Sequence, residues 1–260
     1  MSTDDQTDPR GVRRNRPETV DALASTVISV LRDRQATSAE GLREFALSHL
    51  VRACVAPVHF QPDAMLEELR GYRLSLDALI DLYVPAAARV LGEKWVDDQL
   101  SFADVTIGSL RLQALLEEAS AATRPEAKFD KYHLHALMVV PAGEQHFLGA
   151  SVVAAQLRRV GCEVIMSYDD KLDVLAARLL HDCPDLVLIT CARAETLEYA
   201  QQVVQTIRTT LKDGPVIAVG GALQVDKEEV KERTGADIVT SIAAEAVAYC
   251  SKHAKPMGSL

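Results

Sequence analysis

No stretch of this 260-residue sequence approaches the roughly 20 consecutive apolar residues that a membrane-spanning helix requires, so no membrane contact is expected. Its first residues are polar and lack the apolar core of a secretory signal, which leaves nothing to suggest an oxidising compartment and predicts a soluble, cytoplasmic protein. Aromatic residues amount to only 5% against 48% hydrophobic residues overall, the balance of a helix-rich chain. Cysteine is sparse as well. The five, Cys54, Cys162, Cys183, Cys191 and Cys250, stand singly, with no CxxC pair and no tight even spacing. They read as reduced packing residues rather than a disulfide framework. Positive charge is in deficit, and a net charge of −9 argues against a general nucleic-acid surface, leaving direct DNA contact unsupported. Two nucleotide signatures are also missing: there is no GxGxxG and no GxxxxGK[ST].

What is present divides the chain. Residues 1–16 mix Asp4, Asp5 and Asp8 with Arg10, Arg13, Arg14 and Arg16 and hold almost nothing apolar, so a disordered tail is expected, either simply solvated or a contact arm for protein or DNA. Over residues 17–124 apolar side chains recur at helical spacing, beginning with Val20, Leu23, Val27, Val30 and Leu31, which predicts a bundle of four or five helices. Ser38, Asp63, Ser75 and Ser101 offer N-cap oxygens ahead of apolar stripes, and Pro85 threatens a kink unless packing absorbs the lost hydrogen bond.

Over residues 131–256 the pattern changes to short apolar runs alternating with amphipathic helices. The runs are His135–Val140, Glu163–Met166, Asp185–Thr190, Pro215–Val219 and Asp237–Thr240; helices are expected at Leu148–Val160, Lys171–His181, Glu195–Thr210, Lys227–Arg233 and Ala243–Ser251. Near-continuous Val/Ile/Leu strands indicate a parallel sheet covered on both faces. The fold class is therefore α/β, a flavodoxin-like doubly wound five-stranded parallel sheet preceded by an all-α bundle. Ligands of such sheets sit at the carboxyl ends of the strands, at the topological switch point.

The loop after the first strand reads Gly143-Glu144-Gln145-His146-Phe147-Leu148-Gly149. A lone histidine in a loop is a solvated or structural residue, or a metal ligand whose second ring nitrogen goes to a carboxylate such as Glu144. The loop alone leaves both readings open. After the third strand comes Thr190-Cys191-Ala192, and after the fourth Gly220-Gly221. Small residues at adjacent strand ends suit a slot that a ligand can enter, while paired glycines equally suit a turn that needs positive φ.

The pattern Glu144-x-His146-x-x-Gly149, Thr190-x-Ala192, Gly220-Gly221 resembles the DxHxxG, SxL, GG signature of base-off, His-on cobalamin proteins. The resemblance implies cobalamin as cofactor and His146 as its lower cobalt ligand, oriented by Glu144. It also implies a slot for the nucleotide tail lined by Gly149, Thr190, Gly220 and Gly221, with Gln145, Phe147, Leu148, Ala192 and Ser241 completing the site. Glu144 for Asp, Thr190 for Ser and Ala192 for Leu depart from the signature. Upstream, Leu91-Gly92-Glu93-Lys94-Trp95 followed by Leu100 to Val105 resembles the helical module that precedes cobalamin domains in light-responsive regulators, which implies that Trp95, the single tryptophan, covers the upper corrin face. Trp95 to Gln113, including Ser101 to Gly108, resembles the AerR/PpaA antirepressors, which implies that the partner is a transcriptional repressor of PpsR/CrtJ type controlling photosynthesis genes. Read from the bundle alone, Trp95 is an ordinary helix-core aromatic. The alternatives are a corrinoid protein carrying methyl groups for a methyltransferase and a heme-binding relative using the same histidine.

Overall fold

The computed structural model describes residues 42–123, 134–141, 147–159, 161–191, 195–211, 214–221 and 226–253. The expected tail, the apolar stripe from Val20 to Leu31 and the Ser38 cap lie outside the described residues.

The helical part comprises α1 (Glu44–Val55), α2 (Pro62–Gly71), α3 and α4 (Phe102–Ala122). Helix α3 starts at Leu76–Ala78, widens into a π turn at Leu79–Tyr83 and resumes as Val84–Val96. Two of the expected caps form. The Ser75 hydroxyl accepts from the Ala78 N–H, and Ser101 and Asp104 make a reciprocal capping box at the head of α4. Asp63 is not a cap, because Pro62 occupies the first helical position; Asp63 instead sits in the first turn, where its charge complements the helix dipole. At the far end of α1, Arg111 of α4 donates to the carbonyls of Ala53, Cys54, Ala56 and Val58, satisfying acceptors that the helix end leaves unpaired.

Pro85 neither breaks nor ends α3. A proline in an α-helix strikes the carbonyl four residues back, here that of Asp81. The π turn at Leu79–Tyr83 opens the ladder just before it, with the Val84 N–H bonding to the Leu79 carbonyl. One widened turn thus accommodates the proline and sets the direction of Asp81.

The second part holds β1 (His135–Val140), α5 (Phe147–Arg159), β2 (Glu163–Tyr168), α6 (Leu172–Asp182), β3 (Leu186–Thr190), α7 (Glu195–Thr210), β4 (Val216–Gly220), α8 (Lys227–Thr234), β5 (Ile238–Val239) and α9 (Ala243–His253). All pairings are parallel, in the order β2-β1-β3-β4-β5, the flavodoxin-like arrangement expected. One face of the sheet packs on α5 and α9, the other on α6, α7 and α8.

Helix α5 belongs to two cores. Ala150, Ala154 and Leu157 face the sheet, whereas Leu148, Val152 and Ala155 join the core of the helical part beside Leu50, Leu79 and Leu112. Its small residues let backbones approach on both sides. The helix that leads away from the His146 loop is therefore the seam between the two parts.

Candidate functional site

The strand order reverses between β1 and β3, which makes the carboxyl ends of these two strands the topological switch point where ligands of such sheets bind. Val140 and Pro141 are buried where the chain leaves β1. It is next described at Phe147, the first residue of α5 and the neighbour of His146. Phe147 is half-buried, Leu148 buried and Gly149 exposed. On the other side of the switch point the Thr190 hydroxyl donates to the Val139 carbonyl at 3.4 Å, and the Cys191 N–H donates to Gly220 O at 2.7 Å. Glu144, Gln145, His146 and Ala192 lie outside the described residues.

The glycines of the pattern meet different surroundings. A Cβ added at Gly149 has no described residue within 4 Å, so toward the described residues the first turn of α5 presents an open side. A Cβ at Gly220 would overlap the Thr240 carbonyl oxygen, and one at Gly221 the Cys191 carbonyl oxygen. Gly221 also has φ +144°, a conformation that side chains disfavour. The close approach at the end of β4 is made by the protein's own backbone: Gly220 lets the segment after β5 lie against β4, and Gly221 makes the turn. Ser241 is exposed beside this contact.

Sequence reasoning passed over several residues at this edge. The Thr240 hydroxyl donates to Glu245 Oε2 and accepts from the Ile242 N–H, bracing the head of α9 behind Ser241. At the end of β2, Asp170 accepts from the Ser167 hydroxyl at 2.7 Å and pairs with Arg178 at 3.2 Å. The Tyr199 hydroxyl donates to the Asp170 carbonyl; burial first, then the charges of Asp170 and Asp169, raise its pKa. The run Ser167-Tyr168-Asp169-Asp170 carried the only signal for this cluster, and it reads as an ordinary polar turn.

Trp95 is not a core residue. It is 48% exposed near the end of α3, with its ring 6.3 Å from that of Phe102, itself 60% exposed at the head of α4. Val96 on α3 and Ile107 and Leu110 on α4 are exposed as well. The thiols of Cys54 and Cys162 are pushed up to about 12 by burial and offer no thiolate. Among the described residues no group of three His, Cys, Asp or Glu side chains could hold a bare metal ion.

The described residues at this edge offer a ligand hydroxyl groups and an unfilled side at Gly149. Thr190 and Ser241 carry the hydroxyls, and the Ser151 hydroxyl, on helix α5, is buried without a hydrogen-bond partner among the described residues. His146 is the residue the sequence pattern assigns to hold the cobalt of a corrinoid bound here, and the cobalt would supply an exchangeable ligand.

Residues 134–249 match the B12 binding domain family. Over 179 residues, 69% of this chain and 93% of the relative, the sequence is 34% identical to the uncharacterized 20.5 kDa protein of the bchF-crtJ intergenic region of Rhodobacter capsulatus. The monomethylamine corrinoid protein of Methanosarcina barkeri shares the fold, with a TM-score of 0.64 at 16% identity over 80% of this chain and 95% of that one. No helix among the described residues is long and apolar enough to cross a membrane. The chain belongs to the family of B12-binding-domain proteins that includes the Rhodobacter capsulatus bchF-crtJ protein, and the cofactor of its α/β part is cobalamin.

Proposed function

We infer that the protein is a non-enzymatic, cobalamin-responsive regulator, an antirepressor of the AerR/PpaA kind that acts on a PpsR/CrtJ-type repressor of photosynthesis genes. The observation that carries this reading is the relative encoded within a photosynthesis gene cluster, 93% of which this chain covers. The shared core at α5 supports it, because a helix packed into both parts carries changes at the cobalamin loop into the helical part. The exposed surface of the neighbouring Trp95 and Phe102 rings supports it too, as exposed large apolar groups side by side mark contact sites. The upper cobalt ligand, exchanged by light or by supply, selects between two arrangements of that surface and so changes affinity for the repressor. A differential interaction of a few kcal/mol suffices for a large shift in partner binding.

Methyl carriage is the second reading, favoured by the fold shared with a corrinoid protein. A gel-shift titration of repressor and operator DNA separates the two. Hydroxocobalamin-loaded protein is expected to release the operator, and cobalamin-free protein to release it less. Failure of both to act, together with methyl transfer from bound methylcobalamin to a thiol acceptor, would establish the carrier instead. An absorption spectrum with added cobalamins and with heme identifies the tetrapyrrole directly.

A further inference from the structure

Arg159 closes helix α5, and its side chain, only 2% exposed, points away from its own sheet into the helical part. There Nη2 donates to both carboxylate oxygens of Asp81, at 2.9 and 2.7 Å, while Nη1 stands 3.0 Å from Asp77 Oδ1, out of line for a hydrogen bond. Gln156, one turn earlier on α5, donates to the same Asp81 oxygen at 3.1 Å. The Arg159 Nε has no acceptor among the described residues.

So incompletely satisfied a buried cation is a poor device for stability. Desolvating an arginine opposes folding, and an apolar residue of its size generally serves stability as well. What a buried charge cluster does supply is register. The apolar contacts of α5 with the helical part are made by small and branched side chains, Leu148, Val152 and Ala155, which would pack nearly as well after a shift along the helix. A guanidinium held by two carboxylates has one acceptable position. The acceptor side is built to match, since Asp81 lies in the π turn that Pro85 imposes on α3.

We propose that Arg159, with Asp77 and Asp81, is the positioning cluster that fixes the helical part on the cobalamin domain. It ties the far end of the helix that begins beside His146 to the π turn of α3, whose other end carries Trp95. The two parts consequently respond to cobalamin as one unit.

The test uses the full chain and two variants, Arg159→Met, which removes the buried cation, and Asp81→Asn, which keeps the shape of its acceptor. In cobalamin-free wild type, urea unfolding followed by Trp95 fluorescence, which reports on the helical part, and by far-ultraviolet circular dichroism should give coincident midpoints. In both variants the Trp95 midpoint should fall below the other; a merely structural role would lower the two together. Hydrogen exchange is then compared with and without hydroxocobalamin, its binding checked by absorption. In wild type the cofactor should slow exchange of α3 and α4 amides by about tenfold, and in the variants the protection should be confined to the α/β part. Coincident midpoints in both variants overturn the proposal, as does undiminished protection of α3 in them. Cobalamin that binds wild type without protecting α3 overturns it equally.

Discussion

The head of α5 and the end of β4 both contribute glycines to the pattern at the carboxyl edge of the sheet, yet they solve opposite problems. At Gly149 no described residue fills the space beside the missing Cβ; at Gly220 and Gly221 it is filled by the carbonyls of Thr240 and Cys191. One glycine leaves room for something from outside the chain, and the other two make room for the chain itself. Identical residues in one motif thus answer to different pressures, and substitution should separate them.

The largest effect is expected at the end of β4. Gly221→Ala should destabilise the cobalamin-free protein by about 2–4 kcal/mol, because a strained φ adds to a backbone overlap. Gly220→Ala should cost about 1–3 kcal/mol by displacing the segment after β5. Chemical denaturation without cofactor measures both. Unchanged midpoints would mean that this edge relaxes freely and that the contrast with Gly149 is false.

At the other region the effect should fall on binding. His146→Ala is expected to leave cobalamin-free stability within about 0.5 kcal/mol, as loop positions usually do. It should weaken hydroxocobalamin binding by about 100-fold or more in equilibrium dialysis, since the ligand itself is lost. Wild-type affinity and spectrum in this variant would remove His146 as the cobalt ligand.

Gly149→Ala sharpens the comparison most directly. Without cofactor it should stabilise the protein by about 0.5–1 kcal/mol, the ordinary gain of alanine over glycine in a helix with free space around it. With cofactor it should lower hydroxocobalamin affinity by about tenfold, or roughly 1.4 kcal/mol. A gain in stability without any loss of affinity would show that the open side faces solvent rather than the ligand.

The smallest effect belongs to the capping box beside Phe102. Hydrogen bonds from the Ser101 side chain, then from its backbone, hold the Asp104 carboxyl below its ordinary range. A depressed folded-state pKa contributes stability that is present above the unfolded value and lost as pH falls through the folded one. Wild-type stability should therefore decline on the acid side of the usual aspartate range, and Ser101→Ala should flatten that decline. Identical pH profiles of denaturation midpoint would exclude the effect.

Much of the fold was legible before any coordinates. The α7 boundaries match those expected, and β1 runs over His135–Val140 as its apolar run indicated, because period and run length are local properties of the chain. Ser75 and Ser101 cap helices where their spacing placed them, whereas Asp63 lost that role to the proline beside it. Pro85 was legible as a disturbance, but not as a π turn, since the response depended on what lay across from it.

The sequence by itself determined the order of strands and helices, the α/β class, and a histidine loop between β1 and α5, for each follows from side chains close together along the chain. Only the tertiary structure decided that α5 serves two cores, that Trp95 stands exposed, and that Gly220 and Gly221 face carbonyls. It alone brought Arg159 to Asp81, residues 78 apart in sequence. An arginine at the end of an amphipathic helix looks like any solvated charge until the fold surrounds it, because burial is set by the surfaces that meet there.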